Sequence, residues 1–163
     1  MLKRIDSGSG DPGIMTMEQL LTDTATALTA IRQQDLPVLQ QPLDWQSKYR
    51  LLMQLGKKLP SIPEKMRQNE WLVKGCESRA WLLHYHDSAN NKHYFLLDSE
   101  ARIVKGLLAI MLSFINGLSQ QELKQLDLQR AFDALNLKPY LSQSRSNGLN
   151  AMIMRIKANI TGS

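Results

Sequence analysis

The side chain best suited to covalent chemistry is Cys76, the only cysteine among 163 residues, set in Val73-Lys74-Gly75-Cys76-Glu77-Ser78-Arg79-Ala80-Trp81. The thiolate, not the thiol, is the nucleophile, so its neighbours decide its reactivity. Lys74 and Arg79 are cations that favour the anion, and Glu77 and Ser78 keep the setting polar. A glycine directly before the cysteine allows a tight backbone that presents a side chain at a turn tip. Free cysteines also act as small buried hydrophobes, so inert packing stands beside reactivity as a reading of these residues. A lone cysteine makes no internal disulfide, which fits a reducing compartment and points to the cytoplasm. It also has no second thiol to resolve a sulfenate, which weakens a redox sensor.

His84, His86 and His93 are the only histidines. Two residues apart on a strand, His84 and His86 share a face, and with Cys76 they can be drawn as a metal site. The helical or knuckle spacings of zinc sites are missing, so surface histidines on a sheet are the favoured reading and no metal is expected. Nothing in the pattern places a histidine beside Cys76 as a base, which argues against an independent cysteine peroxidase or hydrolase.

The elements that must position these residues follow from periodicity. Leu20, Leu21, Ala25, Leu28 and Ile31 recur at helical spacing from Met17 to about Gln33, and Pro37 and Pro42 then mark a linker. A second helix runs from about Asp44 to Lys57, with Trp45, Tyr49, Leu52 and Met53 as its core stripe. After a turn at Glu64 to Gln68, three strand-like runs follow: Trp71 to Gly75, Ser78 to His86 and His93 to Asp98. Asp98-Ser99 reads as the N-cap of a broadly apolar helix from Glu100 to about Ile115, with Glu100 in its first turn and Gly106 allowing close packing against the sheet. Ser119 and Glu122 form a capping box, Leu126 to Leu135 a short helix, and Ser142-Gln143-Ser144-Arg145 leads into a last helix through about Ile160. Helices, then strands, then helices make an α+β fold: a small antiparallel sheet of about three strands packed against several helices.

The Gly/Ser-rich residues 1–14 read as an expression-tag remnant before a single domain at 15–163. The chain carries a net charge of +5, but its basic residues are scattered, with no aromatic–basic recognition module, so nucleic acid is not expected as a partner. No apolar run approaches the roughly 20 residues of a membrane span. No glycine-rich phosphate loop is present.

Four blocks carry a resemblance. Gly75-Cys76-Glu77-Ser78-Arg79-Ala80-Trp81 resembles the Gly-Cys-x-(Ser/Asn)-x-Val-Trp motif of the SufE/CsdE sulfur-acceptor family. Asp98 to Leu108 and Leu141 to Met152 are similar to its second and third blocks, and Asp44 to Pro60 to its early helix. The resemblance spans about residues 17 to 160, and its Arg79 and Asp98-Ser99-Glu100 variants look closer to CsdE than to SufE. Ala80 stands where valine is usual, and the region before Asp44 is long.

The resemblance implies a SufE/IscU-like fold and a protein that is not itself an enzyme. It would take persulfide sulfur from a pyridoxal-phosphate-dependent cysteine desulfurase onto Cys76, enhance that enzyme's turnover, and pass the sulfur to an iron–sulfur scaffold or another acceptor. The pyridoxal phosphate would belong to the desulfurase, with no cofactor on this chain, which is expected to be monomeric. Gly75, Glu77, Ser78, Arg79 and Trp81 would support the thiol or dock the partner. Trp81 and Leu83 would shield the resting thiol, in a loop that swings out on docking. Arg145 would stabilise the thiolate or else cap its own helix, and Asp133 falls where relatives carry an acid. A non-covalent adaptor that activates a desulfurase, with Cys76 incidental, is the alternative.

Overall fold

The computed structural model describes residues 16–75 and 78–161, so Cys76, Glu77 and the expected tag at 1–14 lie outside the described residues. Helix α1 (Met17–Ala30) starts with a reciprocal capping box between Thr16 and Gln19. It passes through a π turn at Ile31–Asp35 into α2 (Leu36–Leu39), the Leu36 amide donating to the Ile31 carbonyl five residues back. The expected break at Pro37 is therefore displaced. Proline, which has no amide to give, falls in the first turn of α2, and fully buried Leu39 holds the segment helical.

Helix α3 (Trp45–Lys58) is capped by Asp44, whose Oδ1 accepts the Ser47 amide at 2.7 Å. Its buried face is Lys48, Leu52, Leu55 and Gly56. Of the expected stripe, Leu52 is fully buried and Met53 packs against the core, but the two aromatics do not join it: Trp45 is 66% exposed, and Tyr49 lies outside the core against Tyr140. Lys48 reaches the inner face because its Nζ donates to the Leu135 carbonyl at 2.9 Å.

The sheet is a two-stranded antiparallel ribbon, β1 (Ala80–Asp87) and β2 (Lys92–Ser99), registered from Ala80 opposite Ser99 to Asp87 opposite Lys92. The three-strand expectation is corrected. Asn69–Trp71 forms a 3-10 turn and Gly75 takes φ +97°, so the first run is reduced to one bridge between Leu72 and Trp81. On the outer side of β2, His93 bridges Leu118, and the Phe95 amide donates to Asn116 Oδ1 at 2.8 Å.

Alternation gives the ribbon two buried faces. Ala80, Leu82, Phe95 and Leu97 join the main core with α3, α4 (Arg102–Ile115) and α7 (Gln143–Thr161). Trp81, Leu83, Tyr85 and Leu96 pack with Met17, Leu20 and Leu21 of α1 and with Ile62. The short helices α5 (Gln120–Gln125), capped by the expected Ser119–Glu122 box, and α6 (Leu128–Asp133) connect α4 to α7.

Two further expectations are corrected. Gly106 meets α3 rather than the sheet: a Cβ there would run into the Leu52 carbonyl, and one on Gly56 would come within 2.9 Å of the Arg102 carbonyl. The histidines are not a surface set. His93 is 1% exposed, in phase with Phe95 and Leu97, and its Nδ1 lies 2.7 Å from His84 Nε2. Its ring stacks on His86 at 4.2 Å and on His84 at 5.0 Å. Near-parallel rings do not converge their nitrogens on one point, and no group able to hold a metal occurs among the described residues.

Candidate functional site: the thiol loop and its two flanks

The segment that carries Cys76 is closed at its base. The Val73 amide donates to the Ala80 carbonyl at 2.9 Å, so the chain that leaves the end of the ribbon at Val73 comes back to it at Ala80. The Arg79 carbonyl accepts from the Glu100 amide at 3.0 Å and from Ser99 Oγ at 3.1 Å, tying the returning limb to β2. On the outgoing limb Gly75 backs onto α7, where a Cβ would come within 3.2 Å of the Ala151 methyl. The left-handed φ favours glycine there over any residue with a side chain.

A cleft of about 100 Å3 opens beside the loop, with Ser78 and Ala80 on one wall. Ile103, Val104, Leu107 and Leu108 of α4 form its apolar floor, and Arg145, Leu149 and Met152 of α7 close it. The structure thus brings Ser78 and Arg145, far apart in sequence, to one site. Arg145 Nη1 donates to the Tyr140 carbonyl at 3.0 Å, which fixes the guanidinium at the cleft, and the Arg145 amide donates to Ser142 Oγ at 3.2 Å.

The other expected residues lie elsewhere. Arg79 points to solvent and pairs with Glu100, its Nε 2.8 Å from Glu100 Oε1; this carboxylate raises the guanidinium's pKa by hydrogen bonding first and charge second. Trp81 and Leu83 are core residues of the α1-facing side and do not line the cleft. Arg67 stacks over the Trp81 ring at 4.7 Å. Asp133 is an exposed residue at the end of α6, where its Oδ1 accepts from Gln129 Nε2 at 3.3 Å. Cys76 and Glu77 lie outside the described residues.

Asp98 is a correction. It is not a helix cap, because α4 begins at Arg102 behind Ala101. Its carboxylate, 1% exposed, accepts the Ile62 amide at 2.7 Å and Arg67 Nη2 at 2.9 Å, with Lys105 Nζ at 3.2 Å. Glu100, expected in the first turn of that helix, is instead the partner of Arg79. Sequence reasoning also missed the cleft floor. Ile103 and Leu107 read only as core, and their i, i+4 spacing on the helix after the loop's tether was the available signal.

The class of protein to which this hairpin and its helix-lined cleft belong is given by comparison with known proteins. Residues 33–160 match the family model described as SufE, Fe-S metabolism associated domain, and the chain belongs to that family. Helix α1 and the residues before it precede the matched region. The chain is 44% identical over 108 residues to the sulfur acceptor protein CsdE of Escherichia coli (strain K12), which covers 66% of this chain and 73% of that one. It is 38% identical over 121 residues to an uncharacterized SufE-like protein of Rhizobium meliloti (strain 1021), covering 73% and 86%. The solution structure of a hypothetical protein from Thermus thermophilus superposes with a TM-score of 0.62 at 16% identity, over 82% of this chain and 95% of that one, a likeness of fold. No helix among the described residues is long and apolar enough to cross a membrane.

Proposed function

We propose that the protein is a sulfur acceptor and carrier: Cys76 takes the sulfane sulfur of a desulfurase persulfide, speeds that enzyme's turnover and hands the sulfur to a further acceptor. The observation that carries this reading is the 44% identity to a sulfur acceptor protein, joined to the closure of the chain by Val73 and Ala80 beside the cleft that Ser78 and Arg145 line. The Cys76 thiolate attacks the terminal sulfur of the donor persulfide. A new S–S bond forms as the donor's breaks, the electron pair leaves with the donor sulfur as thiolate, and the sulfane proton stays on the transferred sulfur. Nothing is oxidised or reduced overall. Arg145 stabilises the negative charge on the acceptor sulfur before attack, and on the persulfide once its proton has gone to solvent. The apolar floor of the neighbouring cleft is a further shelter for the product against passing thiols, besides the cover expected of Trp81 and Leu83.

Pyridoxal phosphate does its chemistry on the desulfurase, and this chain brings no cofactor of its own. The reading places it in the cytoplasm as a monomer, with an iron–sulfur scaffold or similar protein downstream. The test is intact-protein mass spectrometry under non-reducing conditions, after mixing with each cysteine desulfurase of the source organism and free cysteine. Wild type is expected to gain one sulfur atom, lost on reduction and absent from Cys76→Ser. Stimulated desulfurase turnover with no mass gain would replace the carrier with the adaptor.

A further inference from the structure

Helix α7 walls a second depression on the other limb of the thiol loop. Leu72, Val73 and Lys74 line one side of this open groove; Ala151, Met154 and Arg155 line the other. At about 100° per residue these α7 positions lie roughly a quarter-turn from the set that closes the cleft, so one helix borders the loop on two adjacent faces. The groove offers about 600 Å3 against the cleft's 100 Å3. The cleft admits side-chain atoms, whereas the groove has room for several residues of main chain.

We propose that this groove receives an extended segment of the desulfurase, the one that bears its donor cysteine, with an acidic side chain opposite Lys74 and Arg155 and an apolar one on Met154. The inference rests on the sulfur-acceptor reading and adds where the donor chain lies. Reach supports it. Cysteines joined by a disulfide have Cα atoms about 4.4–6.8 Å apart, and a persulfide adds one S–S bond of about 2 Å. A donor backbone must therefore pass within about 9 Å of residue 76, and the groove ends at Lys74, two bonded residues away.

Chemistry supports it as well. Lys74 is exposed, Met154 is 71% exposed, and Arg155 is fixed at the rim by donating to the Glu70 carbonyl at 2.8 Å. Lys74 and Arg155 outnumber the one carboxylate of the lining, Glu70, and together with a flexible thioether they match a segment of mixed acidic and apolar character, because opposite charge steers encounter and methionine adapts its shape to its partner.

The test uses the full chain with Arg155→Glu and Met154→Glu, titrated calorimetrically against the desulfurase that loads wild type. Each variant is expected to weaken binding at least tenfold, while sulfur loading at saturating desulfurase keeps its single-turnover rate. A photo-reactive phenylalanine analogue at Met154 should crosslink to the desulfurase peptide that contains the donor cysteine. Affinities within twofold of wild type, or crosslinks mapping away from that peptide, overturn the groove as the docking track. Wild type that neither binds nor accepts sulfur defeats the acceptor reading itself, and the groove proposal with it.

Discussion

Gly106 on α4 lies directly against the Leu52 carbonyl on α3, and Gly56 mirrors it against Arg102, so the two helices cross at backbone contact. Nothing larger than hydrogen fits between them. This crossing sets the distance of α4 from α3, and thereby the floor of the cleft beside the thiol loop.

Gly106→Ala should therefore destabilise the fold although alanine is the better helix former by about 1 kcal/mol. Overpacking typically costs about 1–3 kcal/mol, and here the obstacle is main chain, which cannot turn aside. A lower urea midpoint with an unchanged m value is the expected result; an unchanged midpoint would show that the helices part without cost.

Asp98→Asn removes one charge from a buried cluster and leaves Arg67 and Lys105 facing a neutral amide. Losing one partner of a buried pair costs about 3–5 kcal/mol, and since Arg67 keeps some solvent contact the lower end applies. Thermal melts should show the loss. Asp98→Ala would add a missing acceptor for the Ile62 amide and should be worse.

Acid should loosen the ribbon. Burial, followed by the charges of His93 and His86, lowers the His84 pKa to about 4, and burial lowers that of His93. Unfolded histidines titrate near 6.5, so the unfolded chain binds more protons between these values. The stability that the neutral pair confers is full above about pH 6.5 and is lost as the pH falls toward 4. Denaturant midpoints across this range should decline in wild type and decline less in His84→Phe. Equal slopes would assign the acid response to other groups.

Gly75→Ala puts a methyl on a backbone at φ +97° and against Ala151. We expect about 1 kcal/mol of lost stability, since the native conformation is one that alanine resists. The larger effect should fall on sulfur acceptance, read by mass gain with time. A stable protein with wild-type loading would mean that the glycine is not needed for the thiol's presentation.

Arg145→Met keeps bulk at the cleft and removes the cation. If Arg145 supports the thiolate, the apparent pKa of Cys76 should rise by about one unit, about 1.4 kcal/mol, and iodoacetamide alkylation at neutral pH should slow accordingly. A purely structural role, through the bond to the Tyr140 carbonyl, would lower the melting point and leave the alkylation profile in place.

Where local chemistry decides, the sequence was readable. The Ser119–Glu122 box and the Asp44 cap stand where their side chains reach backbone amides a turn ahead, and Gly75 takes the positive φ that its glycine suggested. Where partners are distant it was not. Asp98 looked like a cap because a carboxylate before a helix resembles one, but Arg67 and Lys105 claim it. His93 looked like surface because a histidine on a short strand gives no sign that Leu118 will bridge it. Trp45 looked like core because its spacing fits the stripe, yet the capping of Asp44 and the inward pull of Lys48 rotate it out. In the site, Arg145 and Ser78 were legible as single residues, while the α4 floor between them required the tertiary crossing.

The bridges at the margins of the ribbon bear on how copies of the protein behave in a crowded solution. A two-stranded hairpin offers unpaired amides and carbonyls on both sides, an invitation to stack into fibrils or pair edge to edge. Here Leu72 occupies one margin at Trp81, and Leu118 with the Asn116 side chain occupies the other at His93 and Phe95. The segment proposed to meet a foreign protein thus leaves from a ribbon whose nearest hydrogen-bonding positions are already spoken for, so the ribbon beside it offers copies of the chain no free margin to pair with.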